Sequence, residues 1–331
     1  MRHGGARRRW LEVTARVAAV AAGLGGSAAA TGETIYAVTV FGELVRFEAS
    51  SPSAVTSVGP VSGLVPNHRV RAMDFRPSTG ELYLLSSGGT GVTNNRAQLY
   101  TVDLATAVLS PVGGGLLLTG SSSPRISMDF DPATDLLRVV TGTRQNYRVS
   151  PVTGELVAQD GNVFYGPGDP YAGQIPETGD LAFTPLSPTG ASTLYHLDAV
   201  GAILATMPTP ATGRLATRGT SGLELQNLFT VENTIGMDIS MVTGLAYVTT
   251  DLVFFDGVNY AFDPIDRLFR VDLTTGRFSL VGSTALQLLD MAVVVPEPQV
   301  AGVLACAWAV VAVRRRARLV GGVPGWWAAS G

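Results

Sequence analysis

One short pattern recurs five times down this chain and limits its fold more than any other feature. The segments Arg71-Ala72-Met73-Asp74-Phe75, Ile126-Ser127-Met128-Asp129-Phe130, Gly179-Asp180-Leu181-Ala182-Phe183, Ile235-Gly236-Met237-Asp238-Ile239 and Leu289-Asp290-Met291-Ala292-Val293 align on Met73, Met128, Leu181, Met237 and Met291. Successive anchors are 55, 53, 56 and 54 residues apart. A period that steady means stacked or radial repetition of one unit rather than separate domains. Between anchors the chain reads as short runs of alternating β-branched and aromatic residues, bounded by Gly, Pro and Thr turns, with four strands to a period. With 39 Gly, 19 Pro and only 15% charged residues, the composition also suits turn-rich β structure.

Units of about 50 residues with four strands match propeller blades. The first period is short: residues 34–60 supply three strands and no anchor strand before them, while Leu288 to Val295 supplies a lone anchor strand at the far end. Pairing the two would close a ring and leave no open inner edge. The expectation is therefore an all-β fold, a single five-bladed β-propeller over residues 34–295 closed by its N- and C-terminal strands. The alternative is six blades, with a degenerate blade within Leu215 to Val231.

These residues also carry a family resemblance. Met128-Asp129-Phe130-Asp131-Pro132 with Asp135, Arg138-Val139-Val140, Gln145-Asn146-Tyr147-Arg148, Pro151, Gly154 and Asp160-Gly161 resemble the central signature of the bacterial domain of unknown function 4394 family. Met73-Asp74-Phe75-Arg76-Pro77 and Thr193-Leu194-Tyr195 do so too, and the similarity runs over residues 35–295. The resemblance implies a secreted repeat domain and no particular reaction.

Both ends read as addresses. Arg7-Arg8-Arg9 and Arg16, an apolar stretch from Val17 to Leu24 and an Ala28-x-Ala30 site have the order of a secretory signal peptide over residues 1–30, with a hint of a twin-arginine signal at Arg8-Arg9. Near the C-terminus, Pro296-Glu297-Pro298 precedes an apolar run from Val300 to Val313 and the cluster Arg314, Arg315, Arg316 and Arg318. Residues 296–318 resemble a PEP-CTERM sorting signal, which implies a Gram-negative source, an exosortase as partner and transient inner-membrane contact through the apolar segment. That segment spans about 22 Å as a helix, short of the ~30 Å hydrocarbon core, and the positive-inside rule keeps the Arg cluster cytoplasmic. Residues 319–331 form a C-terminal extension. The expected location is the cell surface or extracellular matrix.

The chain has no Lys, and between residues 31 and 295 there are 14 Arg against 24 Asp and Glu, an excess of ten negative charges that argues against nucleic acid as a partner. The single Cys306 lies in the tail, so the body has neither an internal disulfide nor a Cys-based zinc site. Nucleophile elbows, Walker loops and paired-His metal motifs do not occur. His68 falls in a loop before Arg69, and His196 is expected to face outward from its strand.

Carboxylates dominate the candidate chemistry. Asp74, Asp129 and Asp238 follow their anchors, whereas Asp180 and Asp290 precede theirs; strand alternation puts all five on one face near the axis. The leading expectation is that each accepts backbone N–H groups of a neighbouring blade or pairs with an Arg such as Arg71 or Arg138. The ring can also hold a hard cation such as Ca²⁺, or supply an acid and base to a glycosidic bond. Further Ca²⁺ candidates are Asp131 with Asp135, and Asp256 with Asp263 and Asp266. Arg138, Arg144, Asn146 and Arg148 can grip an anionic sugar, although neutralising Asp129, Asp131 and Asp135 is the favoured reading. Together these features suggest a surface-sorted binding or matrix module for extracellular polysaccharide, with a secreted carboxylate-based glycan hydrolase or lyase as the rival.

Overall fold

The computed structural model describes residues 32–88, 96–118, 125–223, 235–251, 253–255, 260–262 and 265–295. The signal-peptide and sorting-signal segments, Asp256 and Asp263 lie outside them.

Five antiparallel sheets form the blades. Blade 1 comprises His68–Phe75, Leu82–Gly88, Arg96–Val102 and Leu109–Leu117; blade 2 comprises Ile126–Asp131, Leu136–Thr141, Asn146–Val149 and Leu156–Gln159. Blade 3 runs Thr178–Phe183, Leu194–Asp198, Ile203–Met207 and Arg214–Thr220, and blade 4 runs Ile235–Ile239, Ala246–Thr250, Arg267–Val271 and Phe278–Ser283. Blade 5 takes its inner strand, Leu288–Val293, from the end of the domain and Thr34–Thr39, Glu43–Glu48 and Ser51–Pro60 from its start. The closing pair has Ile35 opposite Val293 and Ala37 opposite Met291. The six-bladed alternative fails because Arg214–Thr220 is the outer strand of blade 3, paired with Ile203–Met207, and does not open a further sheet.

Each inner strand neighbours the inner strands on either side, so the five close into a ring. Apolar packing follows the same plan, with one buried cluster between each pair of successive blades. Blades 1 and 2, for example, share Leu85, Leu99, Met128, Phe130 and Tyr147. Because both faces of a blade are covered, its middle strands are apolar throughout, as in Leu82-Tyr83-Leu84-Leu85.

Tight turns at the end where the inner strands finish share one device. Asp103 Oδ1 accepts from the Ala105 and Thr106 N–H groups, Asp272 Oδ1 does so from Thr274 and Thr275, and Ser150 and Ser240 cap their turns likewise. These are Asx and Ser turns, in which a side chain replaces a missing backbone partner. The turn closes on a left-handed residue, such as Gly154 at φ 68°. A side chain there is excluded twice over, since a Cβ would sit 2.3 Å from the Val112 carbonyl oxygen.

Two features were not legible in the repeat. Phe164–Tyr165 adds a parallel strand outside blade 3, and Val253–Phe255 with Tyr260–Phe262 forms a hairpin between the second and third strands of blade 4. The only helical element among the described residues is a short 3-10 turn, Pro210–Thr212, and no helix there is long and apolar enough to cross a membrane.

Candidate functional site

The five axial aspartates are all buried, between 1% and 5% exposed. Each carboxylate reaches the inner strand of the next blade. Asp74 Oδ2 accepts from the Phe130 N–H at 2.9 Å, Asp129 Oδ1 from Phe183 at 3.1 Å, Asp180 Oδ2 from Met237, Asp238 Oδ2 from Val293 at 2.6 Å and Asp290 Oδ2 from Met73 at 2.7 Å. The circuit therefore passes once through every blade and returns to the first. Four of the aspartates also accept from the N–H of the following residue, namely Phe75, Leu181, Ile239 and Met291. The inner edge of an innermost strand has no further strand to pair with, and these carboxylates supply the acceptors its N–H groups lack.

The one-residue offsets in the sequence become two levels along the axis. Asp74, Asp129 and Asp238 occupy one level, where their oxygen atoms lie within 4.8 Å of one another. Asp180 and Asp290 occupy the other, close enough to perturb each other's ionisation. Small residues stand at the remaining positions of each level: Ala182 and Ala292 beside the trio, Ala72, Ser127 and Gly236 beside the pair. At Gly236 a Cβ would lie 2.7 Å from the Met291 nitrogen and 3.0 Å from Asp290 Oδ1, so no larger residue fits. Five full-sized side chains at one level would crowd the axis; dividing them three and two makes room.

Burial sets the electrostatics. Desolvation pushes the carboxyl groups of Asp180 and Asp238 up to about 7. It raises Asp74, Asp129 and Asp290 as well, with neighbouring aspartates adding to the effect. Ionising one carboxylate in this cluster disfavours ionising the next, so near neutral pH the ring is partly protonated. Among the described residues, the trio is the one group of three or more acidic or imidazole side chains close enough to share a metal ion.

The other candidates have protein partners. Asp131 caps its own turn through Ala133 and Thr134 and accepts from Ser192. Asp135 is ion-paired with Arg76 and accepts from Ser78, tying blade 1 to blade 2. Asp266 is buried and accepts from the Leu288 N–H at 2.6 Å.

The ion pairs of Arg138 and Arg148 are made not with Asp129, Asp131 or Asp135 but with Asp160. Both converge on Asp160 Oδ2, at 2.6 Å and 2.9 Å, and Arg138 also donates to Asn146 Oδ1. Asn146 in turn donates to the Gly161 and Pro210 carbonyls. Burial lowers the Arg138 guanidinium, while hydrogen bonding to both arginines holds Asp160 below the usual carboxylate range despite its own desolvation. Asp160→Asn keeps the shape but removes the charge opposing a buried Arg. It should cost about 1 to 3 kcal/mol, read as a lower denaturant midpoint with an unchanged slope.

Neither histidine sits as expected. His196 is fully buried, with Nε2 3.1 Å from Thr178 Oγ1, and desolvation lowers it to about 4. His68 begins the inner strand of blade 1 and bonds Ser86 Oγ at 2.9 Å through Nδ1. Sequence reasoning missed Arg125 and Glu177, paired at 3.3 Å, and Asp198, which accepts from Tyr165 Oη at 2.6 Å. Their partners are distant in sequence, and only the folded ring brings them together.

The family model described as Domain of unknown function (DUF4394) matches residues 43–292. No curated protein matches the sequence. Among solved structures, the chain is similar to one described as a nidogen/laminin complex, at 11% identity and TM-score 0.40, covering 80% of this chain and 99% of that one. It is also similar to an engineered GH43 glycoside hydrolase at 11% identity and TM-score 0.47, covering 78% and 53% of the two chains. The periplasmic gluconolactonase of Pseudomonas aeruginosa gives 13% identity and TM-score 0.40, with 79% and 99% covered. Likeness at this level carries no argument about activity.

Proposed function

Starting from the premise that the chain belongs to the family described as Domain of unknown function (DUF4394), we propose that the protein is an exported, surface-sorted β-propeller that binds extracellular polysaccharide. Support for export and sorting comes from the two addresses in the sequence, with an exosortase acting on the second. Support for binding rather than hydrolysis comes from one observation: every axial carboxylate is buried and committed to backbone N–H groups. A glycosidase needs two carboxyl groups free to meet a sugar from an open floor, one donating a proton and the other attacking or activating water. Residues locked into inter-blade bonds are poorly placed for either role.

One observation favours a second reading. The 4.8 Å grouping of Asp74, Asp129 and Asp238 suits a hard cation such as Ca²⁺, which takes carboxylate oxygens. In that reading the ion supplies charge compensation at the axis.

Two measurements test the proposal. Full-length protein should co-sediment with extracellular polysaccharide extracted from the producing strain and release no reducing ends from it; release of reducing ends dependent on the axial aspartates would favour the hydrolase. Replacing Pro296, Glu297 and Pro298 by Ala should leave full-length protein in the membrane fraction. Normal processing and release of that variant would end the sorting proposal.

A further inference from the structure

The axial aspartates tie the blades at the centre, and a second set of ties runs round the rim. We infer that main-chain contacts join the outer parts of successive blades at four of the five junctions, and that the fifth junction, between blades 4 and 5, is the seam at which the ring opens.

At three junctions the turn between the third and outer strands of one blade rests on a glycine of the blade before it. Between blades 1 and 2, Gly113 of the outer strand faces the Thr153 carbonyl, and Gly154 of the turn faces Val112 in return. Between blades 3 and 4, a Cβ on Gly219 would overlap the Thr275 carbonyl oxygen, and one on Gly276 would lie 2.8 Å from the Gly219 carbonyl carbon. The Phe278 N–H also donates to the Ser221 carbonyl there, at 2.9 Å. Between blades 2 and 3 the partners are Gly161, just past the outer strand, and Thr212-Gly213. A Cβ on Gly161 would lie 2.5 Å from the Thr212 carbonyl oxygen, and the Gly161 and Phe164 N–H groups donate to Ala211 and Gly213, both at 3.0 Å. Glycine is required on both sides, because only a Cα with two hydrogens lets an opposing carbonyl come so near. Such approaches make the weak Cα–H···O contacts that recur between neighbouring strands.

The junction between blades 5 and 1 reaches the same end differently. Blade 1 has Ala107, left-handed at φ 57°, where the other three turns have glycine, and its turn stands off: a Cβ on Gly59 would be 3.9 Å from the Thr106 carbonyl oxygen. Hydrogen bonds replace the close packing. The Ser62 N–H donates to the Ala107 carbonyl at 3.2 Å, and the Leu109 N–H to the Ser62 carbonyl at 2.9 Å.

Among the described residues, the rim between blades 4 and 5 has neither device. Gly282 of the blade 4 outer strand receives the Pro52 ring, whose Cγ would lie 2.8 Å from a Cβ there. A prolyl ring presents no carbonyl, and proline has no N–H to donate. Blades 4 and 5 still share side-chain ties, from Thr243 and Tyr247 to Glu33 and from the Leu288 N–H to Asp266. Blades 1 and 2 likewise share Arg76 with Asp135, so what sets the seam apart is its rim backbone. Local opening follows the boundary with the fewest ties.

Five amide groups report on the five junctions, because an axial aspartate holds each one across a different junction: Phe130 between blades 1 and 2, Phe183 between 2 and 3, Met237 between 3 and 4, Val293 between 4 and 5, and Met73 between 5 and 1. In the full chain, hydrogen exchange corrected for intrinsic rates should be fastest at Val293. Fraying of the closing strand would instead release Val293 and Met73 together, since Asp290 lies on that strand. Gly219→Ala adds a Cβ at the rim between blades 3 and 4. It should speed exchange at Met237 by about tenfold to a hundredfold and leave Phe130 unchanged. Gly114→Ala, beside Gly113 but with nothing within 4 Å of its Cβ, should alter none of the five. Should Gly219→Ala not fold, the order of exchange in the unmodified chain still decides. Exchange at Val293 no faster than at the other four, equal rates at Val293 and Met73, or a folded Gly219→Ala with Met237 unchanged would overturn the inference.

Discussion

A chain ending at Ala285 is expected to lose its cooperative thermal transition, although the cut leaves four strands in blades 1 to 4 and three in blade 5. The missing strand, Leu288–Val293, is the inner strand of blade 5 and the partner of Thr34–Thr39. Its loss removes Leu288, Met291 and Val293, all at most 2% exposed, from the cluster they share with Ile35, Val45 and Phe47. Burying each such side chain contributes roughly 1.5 to 3 kcal/mol. Asp290 goes with them, leaving the Met73 N–H without its acceptor, and Asp238 and Asp266 lose their donors at Val293 and Leu288. Each such loss at a buried site costs about 1 to 3 kcal/mol. Together these come to about 7 to 18 kcal/mol, as large as the 5 to 15 kcal/mol that holds an ordinary domain folded. The measurement is a calorimetric melt beside the intact chain; a retained sharp transition would mean the ring does not depend on this closure.

Asp238→Ala is expected to carry a large penalty that depends on pH. It removes acceptors from two buried N–H groups, Ile239 in its own strand and Val293 in the next blade, for about 2 to 6 kcal/mol in all. The cost should be larger at pH 5 than at pH 8. Burial raises the folded carboxyl to about 7, above its unfolded value near 3.8. The folded protein therefore holds a proton that the unfolded chain releases, so the contribution from this group is fully present below the unfolded value and is lost as pH rises through about 7. Removing Asp238 removes that loss as well, and the two proteins draw closer at alkaline pH. His196, lowered to about 4, acts oppositely in the same window, losing its contribution as pH falls below about 6.5, but it is present in both proteins and cancels in the difference. Denaturant midpoints of both proteins at the two pH values decide the matter, and a penalty that grows with pH would contradict this account of the ring.

The ring's architecture was legible because it rests on spacing. The anchor period and the orphaned strands at the two ends required no knowledge of packing, and the structure places them as five blades and a closing pair. The axial aspartates were legible for the same reason: strand alternation put five of them on one face, and the offset that set Asp180 and Asp290 apart appears in space as a second level. What escaped depends on tertiary neighbours. His196 was expected to face outward, yet each blade is covered on both faces and a strand like Leu194–Asp198 has no outward side. Arg138 and Arg148 were matched to the wrong acids because Asp160 lies beyond a turn and an outer strand, at a distance in sequence that no periodicity marks.

The claim that the axial aspartates tie blades together is tested most directly at Asp129, which belongs to the trio near enough to share an ion and has one cross-blade bond, to Phe183. Melting temperatures of the unmodified protein and of Asp129→Ala would be taken in chelator and in millimolar Ca²⁺. A structural tie predicts that Asp129→Ala costs about 1 to 3 kcal/mol and that neither protein shifts with Ca²⁺. Cation binding would instead stabilise the unmodified protein as mass action requires. A Ca²⁺-dependent rise in its melting temperature that disappears in Asp129→Ala would contradict the account and make the trio a metal site.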